Sequence, residues 1–254
     1  MTVSERFLKY VSFGTNSDES SETCPSSACQ LELGRYLANE LEDIGLTDVK
    51  LDKNGYVYGV IPATKGREND PSIGFIAHMD TSPAVKGDGI KPQVVKYSGG
   101  DIKLNETACI SVRDFPYLEK YIGCDIITTD GTTLLGADDK AGIAEILTLV
   151  ERLINENIPH GPICVAFTPD EEIGTGAAHF DIEKFGAQYA YTMDGEIEGE
   201  IQYESFNAAK AVFDITGFSV HPGTSKDTMI NACLVAMEIN NMLPGFETPR
   251  GTEA

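Results

Sequence analysis

Apolar residues recur at helical spacing at Val3, Phe7, Leu8 and Val11, a pattern that predicts an amphipathic helix over residues 2–13. After a loop rich in Ser and Thr, Leu33, Leu37, Leu41 and Ile44 form one stripe, predicting a second helix over roughly 27–44. It should stop at Gly45, since glycine suits the left-handed position just past a helix end. Val49 to Leu51 and Tyr56 to Ile61 then flank Asn54-Gly55, a dipeptide that closes hairpins. Ile73-Gly74-Phe75-Ile76-Ala77 is a short apolar run ended by His78, as expected of a strand buried on both faces of a sheet.

Residues 84–131 are irregular, with one strand predicted at Asp125 to Thr128. Ile143, Ile146, Leu147, Val150, Leu153 and Ile154 predict a helix from Asp139 to about Asn155, with Asp138 and Asp139 at its positive end. A strand at Ile163 to Thr168 precedes Asp170-Glu171-Glu172; a helix over about 175–184 leads to a strand at Tyr189 to Thr192, which ends at Met193-Asp194. Strand, polar cluster and helix in alternation is the grammar of an α/β sheet, whose sites gather at strand C-termini. Past Ile201 the stretches lengthen and become β-branched (Ala208 to Ile215), with a helix predicted from Asp227 to Leu243; a domain boundary is expected near 205–208.

The 254 residues are enough for one large domain, or for a domain plus part of another, and the formal charge of -21 opposes nucleic acid or an anionic membrane as a partner. No basic leader precedes an apolar stretch at the N-terminus, and no run nears the ~18 apolar residues of a membrane span, so a cytoplasmic protein is expected. The six cysteines show no CxxC spacing and read as scattered, reduced thiols. The polar, turn-rich end from Pro244 to Ala254 follows directly on a helical pattern, which suggests an incomplete chain.

The candidate chemistry lies at the strand ends: His78, Asp80, Asp138, Glu171, Glu172 and Asp194. Imidazole and carboxylates are the groups that hold and exploit a pair of divalent ions. His78 can bind through one ring nitrogen while Asp80 accepts a hydrogen bond from the other. Adjacent Glu171 and Glu172 point to different sides, so one can ligate while the other faces water. Asp138 and Asp139 together are costly to bury without a cation. Each has a plainer reading when taken singly: a hydrogen-bonded strand-end histidine, a helix cap, a solvated Glu pair, a turn at Asp194-Gly195. Four strand-end positions with ligand chemistry on one chain favour the metal reading, and His78 with no EF-hand loop disfavours a calcium-binding acidic domain.

The wording of these segments, Ala77-His78-Met79-Asp80-Thr81-Ser82-Pro83, Leu135-Gly136-Ala137-Asp138-Asp139-Lys140-Ala141-Gly142, Thr168-Pro169-Asp170-Glu171-Glu172-Ile173-Gly174 and Met193-Asp194-Gly195, resembles the M20 metallopeptidases. The resemblance implies an α/β fold: a mixed-sheet, zinc-exopeptidase-like catalytic domain sandwiched by helices (1–206), then the start of a smaller α+β lid or dimerisation domain (207–254). It implies two Zn2+ ions, with His78 and Asp194 on one, Glu172 on the other, and Asp138 bridging both. Asp80 would orient His78, Glu171 would be the general base, and the Asp138-Asp139 peptide bond would be cis.

The segment Thr216-Gly217-Phe218-Ser219-Val220-His221-Pro222-Gly223 resembles the start of the family's lid, where the counterpart of His221 in dimeric relatives reaches the partner's active site. The family's second zinc has a further, distal histidine; His160 and His179 match no ligand motif, so that ligand is expected beyond Ala254. The implied activity is removal of the N-terminal residue from short peptides, tripeptides foremost. The alternatives are another M20 activity, dipeptidase or aminoacylase, or a metal-binding domain without turnover.

Overall fold

Helix α1 (Val3–Tyr10) starts from a capping box in which Thr2 Oγ1 accepts from the Glu5 amide and the Glu5 carboxylate accepts from the Thr2 amide. It ends short of residue 13 because Ser12 and Phe13 fold back in a tighter turn onto Lys9 and Tyr10. Helix α2 (Gln30–Ile44) begins after a turn at 27–29 and stops at Gly45, which has φ 106°. Strands β1 (Thr47–Leu51) and β2 (Val57–Ile61) form the expected hairpin, with Leu51 opposite Val57. Its turn is longer than a two-residue one: Asp52 Oδ1 accepts from the amides of Asn54 and Tyr56, and Gly55 takes φ 90°.

Strand β3 (Ile73–His78) is followed by β4 (Gln93–Lys96), β5 (Ile102–Lys103), β6 (Cys109–Ile110) and β7 (Asp125–Thr128). These last four make two small two-stranded sheets, β4 with β7 and β5 with β6, around buried Tyr97, Ile102 and Leu118. Helix α3 (Ala137–Asn155), β8 (Ile163–Thr168), a one-turn α4 (Ile182–Phe185) and β9 (Tyr189–Thr192) follow. The structure, a computed structural model, describes residues 1–195, 197–205, 207 and 209–246.

The main sheet is mixed, in the order β1-β2-β8-β3-β9; β3 runs parallel to β8 and β9, while β2 runs antiparallel to β8. Every residue of β8 is buried, as a central strand requires. Its alternate residues Ile163, Val165 and Phe167 join the large core with Leu33, Leu37, Leu41, Ile143, Ile146 and Leu147. Cys164 and Ala166 face the other way, into a smaller cluster with Tyr56, Tyr58 and Phe185. Among the described residues, one face thus carries α1, α2 and α3 and the other the segment around α4.

A polar tie spans the helical layer. Arg6, 1% exposed, donates from Nε to Glu40 Oε1 at 2.8 Å, and Tyr10 donates to Glu40 Oε2 at 2.7 Å, which links α1 to α2. Arg6 Nη1 meets α3 at Thr148 Oγ1 (3.2 Å) and Glu151 Oε2 (2.9 Å).

The helix predicted over 175–184 is a correction: only Ile182–Phe185 is helical, and His179, read as helical, lies in a turn. Tyr56 donates to the Gly176 carbonyl and accepts from the His179 amide, and Tyr58 accepts from the Asp181 amide. Backbone groups that a helix would pair internally are satisfied by those two phenols instead.

The chain divides into two compact units, Met1–Glu198 and Gly199–Ala254. In the second, 209–215 forms no strand with the described residues, Ala208 lying outside them; Phe218 bridges to Ile230, and α5 (Ala232–Met242) starts five residues later than the pattern suggests. Asp227 takes a left-handed φ of 59°, and Asn231 supplies the cap by accepting from the Cys233 amide.

Two stability outcomes follow from this packing. A Cβ on Gly142 would overlap the Met193 carbonyl oxygen, so Gly142→Ala should cost about 1–3 kcal/mol in urea unfolding. Gly195→Ala, whose Cβ would meet none of the described residues within 4 Å, should stay within about 0.5 kcal/mol of the parent; equal midpoints for the two variants would refute the close approach. Glu40→Ala removes the partner of Arg6 Nε and of the Tyr10 hydroxyl while Glu151 still faces the guanidinium, and should cost about 1–3 kcal/mol by the same measurement.

Candidate metal centre

β3 and β8 run parallel with His78 opposite Thr168, so the end of β3 and the turn that carries Glu171 and Glu172 fall at one edge of the sheet. β9 pairs parallel to the other side of β3 and brings Asp194 to that edge, with the Met193 amide donating to Ile76 O. The start of α3 supplies Asp138 and Asp139, joined by a cis peptide bond as the resemblance implies; helical dihedrals begin only after Asp139. Gly142, with no side chain, lets α3 approach the end of β9.

His78 is buried at the centre. Its Nδ1 lies 3.1 Å from the Asp80 carbonyl and 3.2 Å from Asp80 Oδ1, which places the proton on that nitrogen and turns Nε2 towards the carboxylates. Nε2 is 2.7 Å from Asp138 Oδ1 and 3.9 Å from both Glu171 Oε2 and Asp194 Oδ2. Two sets of atoms lie within 4.8 Å of one another: His78, Asp139 and Asp194, and His78, Asp138 and Glu172. The six residues singled out in the first unit therefore meet, and His221 belongs to the second unit.

Asp139 was not singled out as a site residue. Its buried carboxylate accepts from the amides of His78 and Gly142, each at 3.2 Å, and so pins α3 to the end of β3 while standing beside the metal-type cluster. The doubled aspartate at a helix start was its signal in the sequence. His160 lies elsewhere, with Nδ1 at 2.7 Å from the Gly161 carbonyl.

The electrostatics describe a deficit of positive charge. Burial, then the charge of Asp138, pushes Asp194 up to about 6; burial, then Asp194, pushes Asp139 up to about 8; burial and Asp138 also raise Glu172. Burial would lower His78, yet its hydrogen bonds to Asp138 and Asp80 raise it to about 11, and the bond to His78 lowers Asp138. Several carboxyls held at their own expense around one imidazole form a donor set that fits divalent cations, which would supply the missing charge.

Among the described residues no helix is long and apolar enough to cross a membrane. The pattern of the peptidase family M20/M25/M40 matches residues 130–237, the stretch holding Asp138, Glu171, Glu172 and Asp194. The chain is 54% identical over 99% of its length to peptidase T of Halothermothrix orenii and 53% identical to that of Clostridium acetobutylicum; it spans 62% of the length of each. Among solved structures it resembles aminopeptidase PepT from Bacillus cereus, with 25% identity and a TM-score of 0.59 over 95% of this chain and 56% of that one. A tripeptidase from Staphylococcus aureus shares the fold, with 22% identity and a TM-score of 0.61 over 99% of this chain and 57% of that one. More than half of its residues are identical to those relatives along almost all of its length, and residues 130–237 carry the family pattern, so the chain is similar to the peptidases of family M20.

Proposed function

We propose that this chain carries the catalytic centre of a cytoplasmic, two-zinc aminopeptidase that hydrolyses the N-terminal peptide bond of short peptides, tripeptides preferred. The observation that carries this reading is the setting of His78: Nδ1 is fixed by Asp80, and Nε2 faces Asp138, Glu171 and Asp194 within 3.9 Å. The kinship with proteins named peptidase T supports the substrate class.

His78 and Asp194 would hold one ion, Glu172 the other, and Asp138 both. Bound there, the ions would polarise the scissile carbonyl and ease deprotonation of water. Asp80 keeps the imidazole in the tautomer that leaves Nε2 a lone pair. The Glu171 side chain is 55% exposed, and its carboxylate, which this scheme assigns to no ion, would take a proton from the attacking water and pass it to the leaving amine. The second unit, with residues 207–254, is read as the start of a lid through which two copies dimerise. His221 Nδ1 accepts from the Gly223 amide at 3.1 Å, which leaves Nε2–H as a donor suited to an oxyanion in the partner's site.

One observation favours a second reading, a metal-binding chain without turnover: both ligand groups depend on the same histidine, His78. Zinc content and tripeptide hydrolysis, measured together, separate the two. Glu171→Gln should keep zinc and lose about 100-fold or more in kcat; parental turnover in that variant would remove Glu171 from the role of base. Asp80→Asn should weaken zinc binding about 10- to 100-fold in a competitive chelator titration, and unchanged affinity would deny Asp80 its orienting role.

A further inference from the structure

Glu171 and Glu172 lie on no regular element. β8 ends at Thr168, and the chain reverses at Asp170, whose φ of 56° is the left-handed conformation that few residues other than glycine accept readily. The turn closes on itself: the Gly174 amide donates to Glu171 O at 2.7 Å and the Thr175 amide to Asp170 O at 3.1 Å. A turn closed in this way has a shape; its orientation over the cluster must come from elsewhere.

It comes from two buried carboxylates. Asp80 accepts from the amides of Glu171 (3.0 Å) and Glu172 (3.1 Å), the tie on the β3 side. The second tie runs further back in sequence, 140 residues to the entry of α2. Asp170 Oδ2 accepts from the Ser26 amide at 2.7 Å, and its Oδ1 accepts from Ser26 Oγ at 2.5 Å and from Gln30 Nε2 at 2.7 Å. The Asp170 amide in turn donates to Gln30 Oε1 at 3.2 Å. Asp170 is 1% exposed, Gln30 0% and Ser26 7%, so a buried charge is fully engaged by directional partners.

Apolar packing could bury the same volume without setting a direction. Four hydrogen bonds on one residue in a left-handed conformation fix both the position and the rotation of the turn. We propose that Asp170 is a positioning residue: with Ser26 and Gln30 it clamps the turn so that the amides of Glu171 and Glu172 stay on Asp80 and their carboxylates stay beside His78. None of the three touches the reacting atoms in this account; they act through Glu171 and Glu172. The kinetic half of the inference rests on the peptidase reading, and the conformational half does not.

Gln30→Ala removes two of the four bonds while keeping a good helix former at the start of α2. Amide hydrogen exchange should then accelerate about tenfold or more at Glu171 and Glu172 while the amides of β8 keep the parental rate. Unchanged exchange at Glu171 and Glu172, or equal acceleration throughout β8, would overturn the clamp. In tripeptide hydrolysis, Gln30→Ala should lower kcat about tenfold with KM retained. Ser26→Ala should lower kcat by less, and Ser26→Thr, which keeps the hydroxyl, should restore it. A parental kcat in Gln30→Ala despite faster exchange would overturn the positioning role. If the parent chain itself fails to hydrolyse tripeptides, the peptidase reading falls and the exchange result alone decides the clamp.

Discussion

The Asp80 carboxylate is fully buried and accepts from three sides: the ring nitrogen of His78 and the amides of Glu171 and Glu172. It joins the ends of two neighbouring parallel strands, β3 and β8, at one edge of the sheet. A buried carboxylate is costly unless its oxygens are engaged, and here the engagement sets the tautomer of the histidine and the path of the glutamate turn at once. The candidate chemistry depends on this one group being both buried and fully bonded.

The rest of the fold delivers partners to that group. Parallel pairing of β9 with β3 brings Asp194 alongside, and the bare backbone of Gly142 lets the start of α3 close in so that Asp139 can pin the His78 amide. The helical layer behind is locked by the Arg6–Glu40–Tyr10 tie together with the apolar core. In this arrangement carboxylates are crowded beyond what the protein's own charges offset, as the raised Asp139, Glu172 and Asp194 record. A site of this kind is organised for cations.

Much of this is legible in the sequence because regular elements write themselves as runs of apolar and aromatic residues bounded by breakers. The strands at 73–78, 125–128, 163–168 and 189–192 and the stop at Gly45 follow from runs and breakers within a residue or so. The polar residues at the ends of those runs disclose the cluster. What is not legible depends on side chains that satisfy backbone groups from far away in sequence. No local pattern announces that Tyr56 and Tyr58 will hold 176–181 as turns in place of a helix, or that Ser26 and Gln30 will meet Asp170. β4, β5 and β6 are short and partly exposed, and their weak alternation hides them in an irregular stretch. Asp227 shows the same limit, since a left-handed residue inside an apparently helical pattern moves the helix start to Ala232.

In the proposed metal centre one imidazole, His78, anchors a cluster of carboxylates around divalent ions. Zinc K-edge X-ray absorption on the zinc-loaded chain tests it most directly. The expected result is a nitrogen and oxygen shell at about 2.0–2.2 Å with an imidazole contribution that disappears in His78→Ala. A sulfur shell at about 2.3 Å, or an imidazole signal that survives the substitution, would contradict it.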